Sequence, residues 1–134
     1  MRAYERLLSY VVIHTTSNEE AETTPSTKRQ FDLANILVKE MKELGIEDAS
    51  VDEHCYVTGH IPATEGCKNA PRIGFIAHLD TAPDCSGENV KPVIHKNYDG
   101  GDIELGIGRK LTTALFPHLL SQSRNRRLCF SRSA

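Results

Sequence analysis

Apolar side chains recur at helical spacing in two stretches near the start of the chain. The second stretch, residues 27–44, begins with Thr27 and Gln30 in the T-x-x-Q spacing of a capping box and ends before Gly45. The first stretch, residues 2–13, places its apolar residues three or four positions apart, namely Tyr4, Leu7, Leu8, Val11 and Val12. Such a stripe is typical of a helix that buries one face. The pattern therefore predicts two amino-terminal helices.

Short runs rich in β-branched and aromatic residues follow the second predicted helix. Residues 49–53 and 56–61 are two such runs with a turn-length spacer, which predicts a β-hairpin. Residues 72–78 are almost continuously apolar and lie between turn residues, which is typical of a strand buried on both faces. We therefore predict an α/β fold in which both helices pack on a mixed sheet whose middle strand is residues 72–78.

Regular patterns become scarce after Thr81. Glycine and proline interrupt the chain every few residues, so we expect only long turns and short strands such as residues 93–95. Beyond Ser121 the composition is dominated by Ser, Arg and Asn without periodicity, and we expect residues 121–134 to be disordered. The sequence contains no internal repeat, no phosphate-binding glycine-rich loop and no G-x-S-x-G motif.

Composition and charge indicate which kinds of binding partner the protein can have. The chain has 134 residues, of which 39% are hydrophobic and 25% charged, about the size of one ordinary globular domain. Residues 1–104 contain 10 basic and 18 acidic residues, whereas residues 105–134 contain six basic residues and no acidic one. A basic tail can attract nucleic acid or an anionic membrane, but no nucleic-acid-binding motif accompanies it. We expect no nucleic acid and no membrane as a partner.

The cysteines and the start of the chain indicate a reducing compartment. The four cysteines form no C-x-x-C pair, and no apolar run near the start approaches the length of a signal peptide or a membrane span. A disulfide framework or a zinc knuckle is therefore not expected. We expect a cytoplasmic protein with reduced thiols at Cys55, Cys67, Cys85 and Cys129.

The strongest candidate for chemistry is the pair His78 and Asp80, which follows the predicted middle strand. Residues two apart in an extended chain face the same side, so the imidazole and the carboxylate would share one pocket. One ring nitrogen could then ligate a metal while the carboxylate holds the proton of the other. The alternative is structural, with His78 bonded to backbone and Asp80 in a turn, because a zinc site needs three or four ligands.

Five segments carry a longer pattern, namely residues 1–8, 25–34, 74–84, 86–92 and 97–102. Together they resemble the amino-terminal part of the tripeptide aminopeptidases in the M20 zinc metallopeptidase family, collinearly from residue 1 to about residue 120. The resemblance implies that residues 1–120 are the amino-terminal part of an M20-type, zinc exopeptidase-like catalytic domain. It implies a cytoplasmic enzyme that uses two zinc ions to release the amino-terminal residue from tripeptides. It also implies that His78 ligates zinc and that the active-site residue Asp80 orients its imidazole.

The sequence departs from this family after about residue 120. The G-x-D-D-K-A-G segment with the family's bridging aspartate does not occur, and the paired glutamates, the later metal ligands and the dimerisation domain are absent too. Residues 121–134 resemble no part of the family and are interpreted as an unrelated basic tail. We therefore expect a truncated and inactive fragment. Two alternatives stay open: a small non-catalytic binding module that uses the basic tail, and another M20 hydrolase such as a dipeptidase or a deacylase.

Overall fold

The computed structural model describes residues 1–106, 108–122 and 127–132. The chain divides into two compact units, one of Thr15–Asp84 and the other of Met1–His14 together with Cys85–Ala134. The elements in chain order are α1 (Ala3–Tyr10), α2 (Gln30–Glu43), β1 (Ser50–Val51), β2 (Val57–Thr58), β3 (Lys91–Lys96), β4 (Ile103–Gly106), β5 (Arg109–Leu111), α3 (His118–Ser121) and β6 (Arg127–Arg132).

The unit of residues 15–84 is built around α2 and a small hairpin. Strands β1 and β2 pair antiparallel, with Ser50 opposite Thr58 and Val51 opposite Val57, which confirms the predicted hairpin. Helix α2 contacts both strands and buries Leu33 and Ala34. Helix α2 is thereby confirmed as an element, although it begins three residues later than its sequence pattern predicts.

The end of β2 approaches α2 closely because of a glycine. A Cβ atom added at Gly59 would lie 2.7 Å from Met41 Cε, 2.7 Å from Ile46 Cγ2 and 3.3 Å from the Cα of Ala49. Real Cβ atoms do not approach other heavy atoms at 2.7 Å, so the missing side chain permits this contact. Ala49 is 2% exposed, so one of the three atoms closest to this position belongs to a buried residue.

The other unit contains α1, two antiparallel strand pairs and α3. Strand β3 pairs with β6, and β4 pairs with β5. Its buried core consists of Tyr98, Ile103 and Leu119, against which Leu105 and Leu111 pack. Helix α1 is shorter than the predicted 2–13, and the Arg2 amide caps it by donating to Glu5 Oε2 at 2.7 Å.

The predicted middle strand over residues 72–78 is wrong. The segment has no regular secondary structure, and its large side chains are exposed: Ile73 by 81%, Phe75 by 95% and Ile76 by 101%. Apolar composition alone does not make a strand, because a strand also needs neighbours for its backbone groups and its two faces. The predicted mixed sheet is accordingly replaced, within the described residues, by three two-stranded antiparallel sheets.

The structure also differs from the disorder predicted for residues 121–134. Ser121 ends α3, and Arg127–Arg132 form β6, whose backbone pairs with β3 from Lys91 opposite Arg132 to Lys96 opposite Arg127. Antiparallel pairing supplies backbone hydrogen bonds that composition does not reveal. Residues 123–126, 133 and 134 of the predicted disordered tail lie outside the described residues.

Candidate functional site

The structure brings His78 and Asp80 together. Nδ1 of His78 lies 3.1 Å from Oδ1 of Asp80, a hydrogen-bond distance, although the two residues lie in an irregular segment and not at the end of a strand. The side chain of His78 is 83% exposed and that of Asp80 is 39% exposed. With Nδ1 engaged by the carboxylate, the ring nitrogen Nε2 has no hydrogen-bond partner among the described residues and is accessible to a ligand.

A short parallel bridge fixes the backbone next to this pair. Thr81, which directly follows Asp80, bridges Thr16 in parallel orientation. The amide of Thr81 donates to the carbonyl of Thr15 at 3.3 Å, and the amide of Ser17 donates to the carbonyl of Thr81 at 3.0 Å. The hydroxyls of Thr16 and Thr81 lie 3.2 Å apart. Two backbone bonds and a hydroxyl contact therefore hold the chain immediately after Asp80.

A set of hydroxyl and amide groups connects the bridge to the start of α2. The Thr27 hydroxyl donates to the Thr16 carbonyl at 3.1 Å, and Nε2 of Gln30 donates to the hydroxyls of Thr27 at 3.3 Å and Ser26 at 3.2 Å. Thr16 and Gln30 are both buried. Thr27 and Gln30 thus interact as the capping-box spacing suggests, but the hydroxyl binds a distant carbonyl instead of a helix amide.

The sequence patterns assign no role to Thr15, Thr16 and Ser17, which lie between the two predicted helices. The only local signal for their role is the pair of adjacent β-branched threonines, since β-branched residues favour strands. Both threonines are buried, at 3% and 8% exposure, which is unusual for polar residues in a connection. Their burial reflects the partner at Thr81, which lies 65 residues away from Thr16 in the sequence.

A second imidazole–carboxylate pair occurs in the same unit, at His60 and Asp48. The amide of His60 donates to Asp48 Oδ1 at 3.1 Å, and its Nδ1 contacts Oδ2 of the same carboxylate. The backbone hydrogen bond from His60 is the main cause that lowers the pKa of Asp48 below its ordinary value. Both side chains are exposed, and the pair joins the end of β2 to the turn before β1. We assign this pair a structural role.

The residues at His78 fit one part of a metal site. A ligating imidazole whose other nitrogen is held by a carboxylate is a common arrangement around zinc. Among the described residues, however, no group of three or more His, Cys, Asp or Glu side chains lies close enough to hold a metal ion. His78 and Asp80 thus supply one ligand and its orienting partner, and we derive no catalytic step through a metal from them.

Two further observations concern the cysteine thiols and the length of the helices. The thiols of Cys55, Cys67 and Cys85 are free. Burial, followed by the carboxylate of Asp52, raises the pKa of the Cys55 thiol. Within the described part of the chain, no helix is both long and apolar enough to span a membrane.

Comparison with known proteins shows that this chain is similar to peptidases. This confirms the resemblance to the amino-terminal part of the tripeptide aminopeptidases that the sequence indicates. The relatives are named peptidase T. The chain is 55% identical over 118 residues to peptidase T of Aliivibrio fischeri, 56% over 118 residues to that of Alkaliphilus oremlandii and 46% over 118 residues to that of Clostridium perfringens. These matches cover 86–88% of this chain but 29% of each relative. No protein-family model matches the chain.

Proposed function

We propose that the chain corresponds to the amino-terminal part of a peptidase T-like zinc aminopeptidase, a cytoplasmic enzyme that releases the amino-terminal residue from tripeptides. In this proposal residues 1–120 correspond to part of an M20-type catalytic domain, and residues 121–134 are an unrelated tail. The observation that carries the proposal is the hydrogen bond between His78 and Asp80, in a chain 46–56% identical to peptidase T over about 118 residues.

His78 is the proposed zinc ligand and Asp80 the residue that positions it. The carboxylate of Asp80 accepts the Nδ1 proton of His78, which fixes the tautomer and leaves the lone pair of Nε2 available. Zinc, when bound, polarises a carbonyl and lowers the pKa of a bound water. The Thr81 bridge to Thr16 supports this assignment because it restrains the backbone directly after Asp80.

The chain alone is proposed to be inactive. Zinc in catalytic sites is held by three protein ligands, and the proposed site contributes one. Hydrolysis also needs a general base within hydrogen-bond reach of the attacking water. Neither requirement is met by a single imidazole with its carboxylate partner, so the proposed activity belongs to a longer enzyme.

A chimeric enzyme tests the proposed function. The segment of Aliivibrio fischeri peptidase T that matches this chain is replaced by the corresponding residues of this chain, and hydrolysis of a tripeptide is measured with zinc present. We expect activity in the chimera and its loss in His78→Ala. We expect Asp80→Asn to lower zinc affinity or activity by roughly 10- to 100-fold, the usual effect of removing the partner of a metal-bound histidine.

His54→Ala is the matched control for these variants, because His54 is an exposed histidine of the same unit. It is expected to leave the activity of the chimera unchanged. A folded chimera in which His78→Ala hydrolyses the tripeptide as fast as the unmodified chimera would contradict the proposed role of His78. Equal losses in His54→Ala and His78→Ala would contradict it as well.

A further inference from the structure

Residues 72–80, which we call the 72–80 segment, have backbone groups that could pair with another strand, and residues 72–78 are exposed. Ile73, Phe75 and Ile76 are each more than four-fifths exposed. No backbone group from residue 72 to residue 79 is hydrogen-bonded to another backbone group of the described chain. The segment contains no proline, so all of its amides can donate. An apolar stretch of low net charge whose backbone groups are unpaired is a template for strand pairing.

The sequence of this segment is complementary to itself when two copies run antiparallel. With Ile76 opposite Ile76, the charged ends meet as Arg72 opposite Asp80, and this happens twice because the arrangement has two-fold symmetry. Opposite charges at directly facing positions stabilise a strand pair. At the inner positions Ile73 lies opposite Leu79, while Gly74 opposite His78 and Phe75 opposite Ala77 each pair a small residue with a large one, so no two bulky rings face each other.

In the same register, the two faces of the strand pair carry different kinds of side chain. Residues 73, 75, 77 and 79 of both copies lie on one face of the pair, and all of them are apolar. The charged ends lie on the other face, together with His78 and Ile76. A parallel in-register pair would instead place Arg72 opposite Arg72 and Asp80 opposite Asp80, which is destabilising. Charge complementarity therefore favours the antiparallel arrangement over the parallel one.

We propose that the 72–80 segment is a self-association surface whose occupant is the same segment of a second copy of this chain, paired antiparallel about Ile76. A single strand pair of this length buries less than the roughly 1,200 Å² of a stable interface, so the dimer is weak and depends on concentration. This inference concerns assembly and stands apart from the proposed peptidase function.

Sedimentation equilibrium of the purified chain over a wide concentration range tests the proposal, with a reductant to prevent disulfides and a chelator to exclude metal bridging. We expect a monomer–dimer equilibrium. Arg72→Asp and Asp80→Arg each place like charges opposite one another twice, and each should weaken the dimer by roughly 2- to 30-fold. The double variant Arg72→Asp with Asp80→Arg restores opposite charges and should recover the original dissociation constant.

Two control variants separate specific pairing from general effects of charge. Lys28→Asp makes the same change of charge as Arg72→Asp at another exposed position of the unit and should leave the dimer intact. Ile76→Lys places two ammonium groups opposite each other and should weaken the dimer roughly tenfold or more, whereas Ile61→Lys, at a side chain 79% exposed, should not. A chain that stays monomeric, or a double variant that fails to recover association, would overturn the proposal.

Discussion

Cys55 differs in burial from Cys67 and Cys85, the other two cysteines whose side chains the structure describes. Cys55 is 4% exposed, and burial together with the Asp52 carboxylate raises the pKa of its thiol. Cys67 and Cys85 are exposed. Because the thiolate is the reactive form, a raised pKa lowers its population at neutral pH.

The expected outcome is that iodoacetamide modifies Cys67 and Cys85 before Cys55 at neutral pH. Peptide mass spectrometry at successive times measures the three rates. Unfolding the chain in urea is the control and should bring the rate at Cys55 close to those of the other two cysteines. Equal rates in the folded chain would contradict the buried position of Cys55.

At Gly59, the absence of a side chain permits a close approach to Met41 and Ile46. Gly59→Ala places a methyl group 2.7 Å from Met41 Cε and Ile46 Cγ2, so these two side chains must move. Overpacking of this kind costs about 1–3 kcal/mol. Urea unfolding followed by circular dichroism measures the loss. Gly74→Ala is the control, since a Cβ at Gly74 meets nothing within 4 Å, and an equal change in both variants would contradict the account.

At the scale of elements, hydroxyl groups connect α2 to the strand-like bridge at Thr81. Thr27→Val keeps the shape of the side chain but removes the donor to the Thr16 carbonyl and one acceptor of Gln30. Losing such partners costs about 1–3 kcal/mol. We expect faster amide hydrogen exchange in the first turn of α2 and at Thr81.

Thr64→Val is the matched control for this experiment. Thr64 is exposed, and its hydroxyl makes none of these contacts. It should leave exchange in α2 and at Thr81 unchanged. Unaltered exchange in Thr27→Val would show that the hydroxyl network does not hold these elements together.

Local patterns predicted the elements whose stabilising contacts are local. Helix α2 follows from its apolar spacing, and the β1–β2 hairpin follows from two β-rich runs separated by a turn. The turn itself is local, because Asp52 Oδ1 accepts from the amides of His54 at 3.0 Å and Tyr56 at 2.8 Å. The pair of His78 and Asp80 was also predictable, since residues two apart are close in an extended chain.

Elements that depend on distant partners were not predictable from one sequence. The 72–80 segment has the composition of a buried strand, yet nothing within the described chain pairs with it. Conversely, Thr16 gains its role from Thr81, and β6 gains its strand conformation from β3. The spacing of apolar residues shows which surface a segment can bury. It does not show whether another part of the chain is present to cover that surface.

At the scale of the whole molecule, the chain spans 29% of the length of its peptidase T relatives. We predict that the 134-residue chain, supplied with zinc, does not release the amino-terminal residue from a tripeptide, because a single imidazole supplies only one of the three protein ligands of a catalytic zinc. Chromatography of the released amino acid measures this. Turnover that is lost in His78→Ala but kept in His54→Ala would contradict the prediction.

The central claim is that Asp80 holds the proton on Nδ1 of His78 and leaves Nε2 free to ligate zinc. Nitrogen-15 NMR of the histidine rings tests this directly in the chain as it stands. We expect neutral His78 to be protonated at Nδ1, zinc to shift its Nε2 signal, and Asp80→Asn to weaken this response roughly 10- to 100-fold. A neutral His78 protonated at Nε2, or an Nε2 signal that zinc does not shift, would contradict the claim.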